Sequence, residues 1–564
     1  MKTVDDYIIV QMGDFMLNAG ILGLIRALEN YHAVEGRDYI IGENELRLSK
    51  DYLETTDLAD LYFRAMVDLL GKDSRYQTII DKKPIVDKLY SEQQRTEKQE
   101  KQLTDLYTEL AKMLERNSFK SGYTILKESG IDLISLDLVK SYKKEKDPTT
   151  KYRLYEKLIE ILKLPSVRDV LVFKELMYGK IDRFYQGTSF YLPAKLSKNM
   201  KEVYEQDFVT PLLEELHATK KPRYRCIECS ELSTQKKSIS FMIDTTDDIA
   251  RKKAHYWNMV PDALVCPLCA FVYTFMPVGF RFIGRNSVFI NNNVSLPVMK
   301  DLMNTYRSRI SDQEESKSLK GGFYRIFSTD GIEMLQTGLS NIQVISRPYS
   351  SEHYQMQIVD KDIIEKLTMS KKYLEKLEKI GSFKIVDNYV NVYDDVIENI
   401  LLRRSQHNLI QRQMRLNLNG SDSRSIAYIY SILMIQIICW GGKEKMDKMM
   451  KQVNWAYEAG KDMRLRLTSK VSDEKDKDNS LRGVVYKLEN QISVNDVTGF
   501  LDSIIRLYSS YGRPIPSIFK ECRSSEELFK AIGQGFILGL KYQRWENDDS
   551  KKSSDSSDNN GGKE

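Results

Sequence analysis

The sequence predicts an α+β, multidomain protein with a mixed N-terminal body, an inserted four-cysteine zinc-knuckle module and a C-terminal all-α bundle. Three observations predict it. At 564 residues the chain exceeds what one hydrophobic core ordinarily supports, so several domains are expected. Two C-x-x-C pairs, in "RYRCIECSEL" (223–232) and "VCPLCAFVYTF" (265–275), stand 36 residues apart among only six cysteines. Short β-rich runs with glycine turns then give way, from Asp394, to an almost wholly helical pattern. The expected division is an α/β domain at 1–219, the knuckle module at 220–290 and a β-rich continuation of the body at 291–393. The bundle follows at 394–545, with a disordered tail at 546–564.

Taken in order, Val4–Val10 is a short β-rich run that Gly13-Asp14 ends. Asp14 is placed to cap a helix over Phe15–Leu28, whose Leu17, Ile21, Leu24, Ile25 and Leu28 form one apolar face. "DYIIG" and "ELRLS" suggest a hairpin. Helices are expected over 57–71 and 85–116, the latter with a solvated, charge-alternating middle at 93–102. Residues 150–219 hold one helix, irregular tyrosine-rich segments, and a second helix from about Ser197 to Leu216. Beyond the knuckles, "GFRFIGRNSVFI", "GFYRIF" and "NIQVIS" suggest strands, a helix is expected near 360–380, and "FKIVDNYVNVY" suggests a further strand. The bundle comprises helices to Leu418, over Arg424–Trp440, Lys443–Lys470 and Val494–Tyr511, and from Ser525 to Trp545. "SDEKDKDNS" (472–480) is expected as a charged loop. The segment after Trp545 has no apolar residue and cannot repay its ordering entropy.

Apolar residues make up 41% and charged residues 29%, the balance of a soluble globular protein. The net charge of +5 confines any basic function to local patches. Tyrosine is abundant, at 33 residues, which suggests half-buried contact surfaces. No secretory signal is visible at the N-terminus, and the longest apolar run, Ile426–Trp440, is shorter than the ~20 residues of a membrane span. No membrane association and a cytoplasmic location are expected, where thiols stay reduced.

In that setting paired C-x-x-C motifs indicate a metal. Cys226, Cys229, Cys266 and Cys269 supply four thiolates, the closed set of a structural Zn(2+) site, with no position left for chemistry. Pro267 presets the second turn. The spacing exceeds the roughly 15–20 residues of a compact ribbon, so the intervening segment, including "ARKKAHYW", must loop out. Cys439 and Cys522 lie in apolar helical contexts and are expected as inert core thiols.

No phosphate loop, nucleophile elbow, H-E-x-x-H or dinucleotide fingerprint is present. The five histidines are scattered without ligand spacing. "DTTDD" places Asp244, Asp247 and Asp248 together, which admits a metal-dependent nuclease as the alternative reading, although such clusters are more often turns and caps. A protein-only assembly scaffold is a third reading. The expectation is a non-enzymatic binding protein.

Two regions are basic. Lys220, Lys221, Arg223 and Arg225 fill four of six positions around Tyr224, and Lys252 and Lys253 lie in the same module, a composition suited to phosphate contact and base stacking. Residues 401–470 carry thirteen Lys/Arg against five Asp/Glu, among them Arg403, Arg404, Arg412, Arg415, Arg424, Arg464 and Arg466. Such helices could line a groove for a nucleic-acid backbone. Asn291, Asn292 and Asn293 form a polar loop that could reach base edges.

"GDFMLNAGILGLIRALE" (13–29), directly after a first strand, resembles the N-terminal signature of the large subunit of type I CRISPR Cascade complexes. With both knuckles in mid-chain order, the chain is similar to the CXXC–CXXC branch found mainly in subtype I-B. The resemblance covers the layout of the whole chain, while 50–215 and 295–395 carry no matching motif. It implies a non-catalytic subunit that recognises the protospacer-adjacent motif in double-stranded target DNA and helps open the duplex. It also implies that the subunit aids recruitment of a separate helicase-nuclease. The implied partners are crRNA, the backbone and 5′-handle-binding subunits, and a small helical subunit. Only the four cysteines carry over by position.

Overall fold

A computed structural model describes residues 3–4, 6–92, 94–185, 189–191, 199–244, 263–283, 286–309, 342–347, 353–379, 382–385, 388–418, 425–469 and 474–541. They fall into two compact units, one from the described residues of Met1–Ser316 and Gly338–Val359, the other from those of Asp360–Glu564. The division falls within 291–393, and the knuckle module belongs to the first unit. The architecture is mixed helix and sheet with a helical C-terminal region, the predicted class.

The first unit holds two antiparallel four-stranded sheets. One runs Thr3–Val4, Tyr7–Gln11, Glu45–Ser49, Tyr39–Ile41, with Tyr7 opposite Ser49 and Val10 opposite Leu46. The other runs Gln355–Val359, Ile342–Arg347, Asn286–Asn291, Arg281–Ile283. Helix Phe15–Asn30 follows the first strand pair, and the Asp14 side chain accepts from the Leu17 amide at 2.8 Å, the predicted cap.

That helix meets the second knuckle's helix, Pro267–Thr274, and the following turn, Met276–Gly279, at van der Waals distance. A Cβ on Gly20 would lie 2.7 Å from the Val272 carbonyl oxygen, and one on Gly23 2.0 Å from that of Phe275. The "GILG" of the signature is therefore a packing seam. Only hydrogen fits there.

The helices between the sheets depart from expectation in detail. The span 85–116 is two helices, Lys83–Ser91 and Glu97–Leu114, because Thr96 and Gln99 form a capping box that starts the second. Helices Asn117–Glu128 and Leu136–Lys144 were not foreseen. Two prolines at first helical positions begin Pro148–Lys163 and Pro165–Leu176 back to back.

The tyrosines serve the interior more than any surface. Tyr62 stacks on Tyr204 with ring centroids 4.1 Å apart, Phe190 and Phe275 meet Tyr62 edge-on, and Tyr185 stacks on Tyr191 at 3.8 Å. Hydroxyls pay part of their desolvation locally: Tyr185 donates to the carbonyls of Tyr273 and Thr274.

In the second unit, helices Lys361–Glu378, Val392–Leu401, His407–Leu418, Ser425–Leu467, Glu474–Ser493, Val497–Ser510 and Glu526–Leu540 accompany one hairpin, Ser382–Ile385 with Asn388–Asn391. The two helices expected over 424–470 are one of 43 residues. Gly441-Gly442 costs it only about 1 kcal/mol per glycine, less than its packing returns. It crosses helix Glu526–Leu540 where Gly460 and Gly539 meet, a Cβ on Gly539 falling 2.0 Å from the Tyr457 oxygen. The expected loop at 472–480 is helical from Glu474. The tail at 546–564 lies outside the described residues.

Candidate metal centre and its basic hairpin

The first knuckle is a hairpin. Tyr224–Arg225 pairs with Leu232–Ser233, and between them the Cys226 amide donates to Glu231 and the Ser230 amide to Cys226. Ser230 takes φ 59°, the left-handed turn that lets Cys226 and Cys229 face the same side. Arg225 donates to the Ser230 carbonyl at 2.9 Å and braces the turn. Glu215, from helix Thr210–Leu216, accepts from the Thr234 amide and hydroxyl and holds the hairpin's return.

The second knuckle is a helix start. Cys266 is the N-cap of Pro267–Thr274, Pro267 occupies the first turn, and the Cys266 sulfur accepts from the Cys269 amide at 3.5 Å. Both sulfurs thus sit at the positive end of a helix, which favours thiolate. Strand Leu264–Val265 pairs with Lys237–Ser238, and the Ile227 amide donates to Leu264, so the two knuckles are stitched together by backbone.

All four sulfurs lie within 4.8 Å of one another, with Cys229 and Cys266 at 3.8 Å. Four sulfurs placed tetrahedrally about an ion at about 2.3 Å would stand about 3.8 Å apart. The donor set therefore fits a four-coordinate metal ion. Hydrogen bonds from the other thiols hold Cys226 below the usual thiol range, while Cys266 and Cys269 are pushed up, as expected when neighbouring sulfurs share protons. Behind the first knuckle, burial pushes Glu228 up to about 7, with the Asp14 charge adding and a Tyr273 hydrogen bond opposing. The signature's Asp14 and the knuckle thus share one pocket of charge. Cys439 and Cys522 stand apart, and burial pushes both thiols up to about 12.

The hairpin's cations face solvent. Lys220, Lys221, Arg223, Arg225 and Lys236 are all exposed, and none is in an ion pair among the described residues. Lys236 stands 5.2 Å over the Tyr224 ring. Lys252 and Lys253 lie outside the described residues.

The bundle arginines are arranged differently. Arg403 is bound by Asp360 and Asp362, Arg412 by Asp395, Arg415 by Glu489 at 3.2 Å, and Arg466 by Asp462 at 2.9 Å. Arg464 is buried and donates to the Leu540 carbonyl at 3.0 Å. Arg404 is exposed, and Arg424 lies outside the described residues. Part of the charge excess read from sequence is thus spent inside the unit, where folding brings Asp360, Asp362, Asp395 and Glu489 to three of these arginines. Arg464 is a correction: it serves the core, not a groove.

The asparagine loop is also an internal device. Asn291 and Asn292 are buried, and Asn18 donates to the side-chain oxygens of Asn291 and Asn293, both at 2.9 Å. Asn291 donates in turn to Gln343 at 2.8 Å. The loop pins the first helix to the second sheet, leaving Asn293 as its exposed member. Asp244, at φ 64°, accepts from the Tyr354 amide, meets Arg347 at 3.3 Å and bonds His353 at 2.7 Å, so its carboxylate is fully engaged in joining strand ends. Asp247 and Asp248 lie outside the described residues.

Fold and site together define a mixed α/β protein whose two thiol knuckles can clasp a metal ion beneath an exposed basic hairpin. Residues 219–281 match the family described as CRISPR-associated protein (Cas_CXXC_CXXC), so over this module the chain is similar to CRISPR-associated proteins. No curated protein and no solved structure matches the chain. Among the described residues no helix is long and apolar enough to cross a membrane.

Proposed function

We propose that the chain is the non-catalytic large subunit of a crRNA-guided type I CRISPR surveillance complex, acting in the cytoplasm. In this reading it recognises the protospacer-adjacent motif, helps open target DNA and aids recruitment of the helicase-nuclease. Its partners are crRNA, target duplex and the other Cascade subunits, and its four cysteines hold one structural Zn(2+). The observation that carries the reading is the exposed cluster Lys220, Lys221, Arg223, Arg225 and Lys236, with no carboxylate partner among the described residues, on a hairpin that carries two of the cysteines, inside the segment that matches the CRISPR-associated family. Cations without a carboxylate partner release counterions when they meet phosphates, whereas ion-paired ones must first lose a carboxylate. Sequence is delegated to guide–target pairing, so the protein needs only to hold backbones and read a short motif, as in another RNA-guided effector. The engagement of Asp244 disfavours the nuclease alternative at that residue.

The test is binding of the assembled complex to duplexes that differ only beside the target. Affinity is expected to depend on those bases and to fall on reversing the charge of Arg223 and Arg225. Indifference to both changes would refute the reading.

A further inference from the structure

A pocket of about 210 Å³ opens beside the basic hairpin, where three parts of the first unit meet. Its apolar walls are Phe208, from the π-helical segment Glu205–Val209, Pro211, from helix Thr210–Leu216, and Pro267 and Ala270, from the second knuckle's helix. Three of those four are proline or alanine, which have no long side chain to swing inward and fill the space. Phe208 is buried and meets Phe190 and Phe241 edge-on, so it too is held in place. Rigid groups keep the pocket open.

The polar lining comes from the π-helical segment and from the hairpin's return. Lys237 is already engaged: it donates to the Asp207 carbonyl at 2.7 Å, with its nitrogen 3.6 Å from the centre of the Phe208 ring. The Gln235 amide nitrogen donates to Glu214 at 2.8 Å, which fixes the amide and leaves its oxygen without a donor among the described residues. Gln206 is exposed at the rim, and its side-chain amide has no partner among the described residues. It sits on a π-helical turn, a rare conformation that recurs at functional sites. Lys236 also lines the pocket and stands over the Tyr224 ring, between Arg223 and Arg225 in the chain. The pocket is therefore continuous with the hairpin's cationic surface.

We propose that this pocket receives one unstacked nucleobase from a strand whose phosphates lie along the hairpin. Size selects the ligand. The volume falls below the roughly 300–1,000 Å³ of clefts that enclose drug-sized molecules, and suits a single ring system. Chemistry agrees with size: a base has apolar faces, matched by the proline, alanine and phenylalanine walls. Its edge carries donors and acceptors, matched by Gln206 and Gln235, whose amides offer both. An apolar side chain of a partner protein would cover those amides and match neither. Base capture goes beyond holding a backbone, because it needs a base taken out of its stack. That the occupant belongs to a nucleic acid rests on the function proposed above.

The experiment uses the assembled complex with 2-aminopurine, a base that brightens on leaving its stack, placed singly along the guide and both target strands. One position is expected to brighten with the wild-type chain and to stay dark with Gln206→Trp, which fills the mouth from an exposed site; all other positions should behave alike in both. Gln206→Met keeps the length and neutrality of the side chain without its hydrogen bonds, and serves if Gln206→Trp misfolds. It is expected to weaken binding about two- to tenfold. Both variants should keep the wild-type salt slope, since neither removes a phosphate contact. If no position depends on Gln206 and Gln206→Met binds as wild type does, the pocket proposal fails. A salt slope that still flattens on reversing Arg223 and Arg225 would then leave the hairpin's nucleic-acid role standing, and one indifferent to them would remove both. If Gln206→Trp instead blocks assembly with another subunit, the pocket seats a protein side chain and the proposal is overturned.

Discussion

Gly23→Ala adds one methyl group where the first helix touches the chain just beyond the second knuckle. The new Cβ would stand 2.0 Å from the Phe275 carbonyl oxygen and 3.0 Å from the Gly279 amide nitrogen. Ordinary contact begins at 3.4 Å, so the helices must part by about 1.4 Å, and both contacting groups are backbone that cannot rotate aside. Overpacking of this kind costs about 1–3 kcal/mol, and a backbone obstacle places it at the upper end. Opposing it, alanine in a helix interior gains about 1 kcal/mol over glycine. The net expectation is a loss of about 2 kcal/mol, felt at the cysteines as well as the helix. Gly179→Ala in the same unit is the control, because its Cβ would meet nothing within 4 Å. The assay is denaturant unfolding of the full chain with a zinc-sensitive dye present. Gly23→Ala should unfold and release metal together at lower denaturant, and Gly179→Ala should match wild type or exceed it slightly. If Gly23→Ala behaved as its control does, the seam would not couple the signature helix to the knuckles.

Cys226→Ser or Cys269→Ser should remove bound metal and destabilise the first unit together, since metal affinity here is folding energy; metal analysis alongside thermal unfolding checks it, as does loss of metal on acidification, when protons compete for the thiolates. Reversing the charge of Lys221, Arg223 and Arg225 should flatten the salt dependence of nucleic-acid binding by roughly 0.7–0.9 per lost contact. The same change at Arg412 and Arg466 should chiefly destabilise the helical unit by breaking its ion pairs, and a filter-binding salt series beside a melting curve separates the two. Burial would raise Glu527, but its hydrogen bond and charge interaction with His407, 2.8 Å away, win and lower it. A lowered carboxylate stabilises above its unfolded pKa and loses that contribution as pH falls through the folded value. The second unit should therefore weaken in acid below the usual glutamate value of about 4.3. Glu527→Gln should be less stable at neutral pH, the gap closing in acid, as read from urea midpoints across pH.

What was legible in the sequence was what local chemistry decides. Four cysteines in two tight turns announce a tetrahedral donor set, and Asp14 before an apolar stripe announces a capped helix. Strand Ile342–Arg347 followed from alternation and turn residues, whereas the single strand expected in "FKIVDNYVNVY" is a hairpin, Ser382–Ile385 with Asn388–Asn391. What was illegible depends on partners distant in the chain. Arg415 meets Glu489 and Arg412 meets Asp395, so a count of charges within 401–470 could not show which arginines are already paired. Asn291 looked like a loop residue because its partners, Asn18 and Gln343, lie 273 and 52 residues away.

The signature and the knuckles acquire a common physical cause. Gly20 and Gly23 exist as glycines because the second knuckle's helix and the turn after it lie against them, and Asp14 and Asn18 fix their own helix at its start. A metal ion at the cysteines would hold the helix start of Pro267–Thr274, and the seam would pass that constraint to the signature helix. Metal occupancy should therefore govern the basic hairpin and the first helix together. The hairpin hangs directly from Cys226 and Cys229, and helix Phe15–Asn30 rests on the far side of the seam. Stripping the metal with a chelator should weaken hairpin-dependent binding and speed amide exchange along the first helix in parallel. If chelation abolished the first and left the second unchanged, the seam would not transmit, and knuckle and helix would be independent.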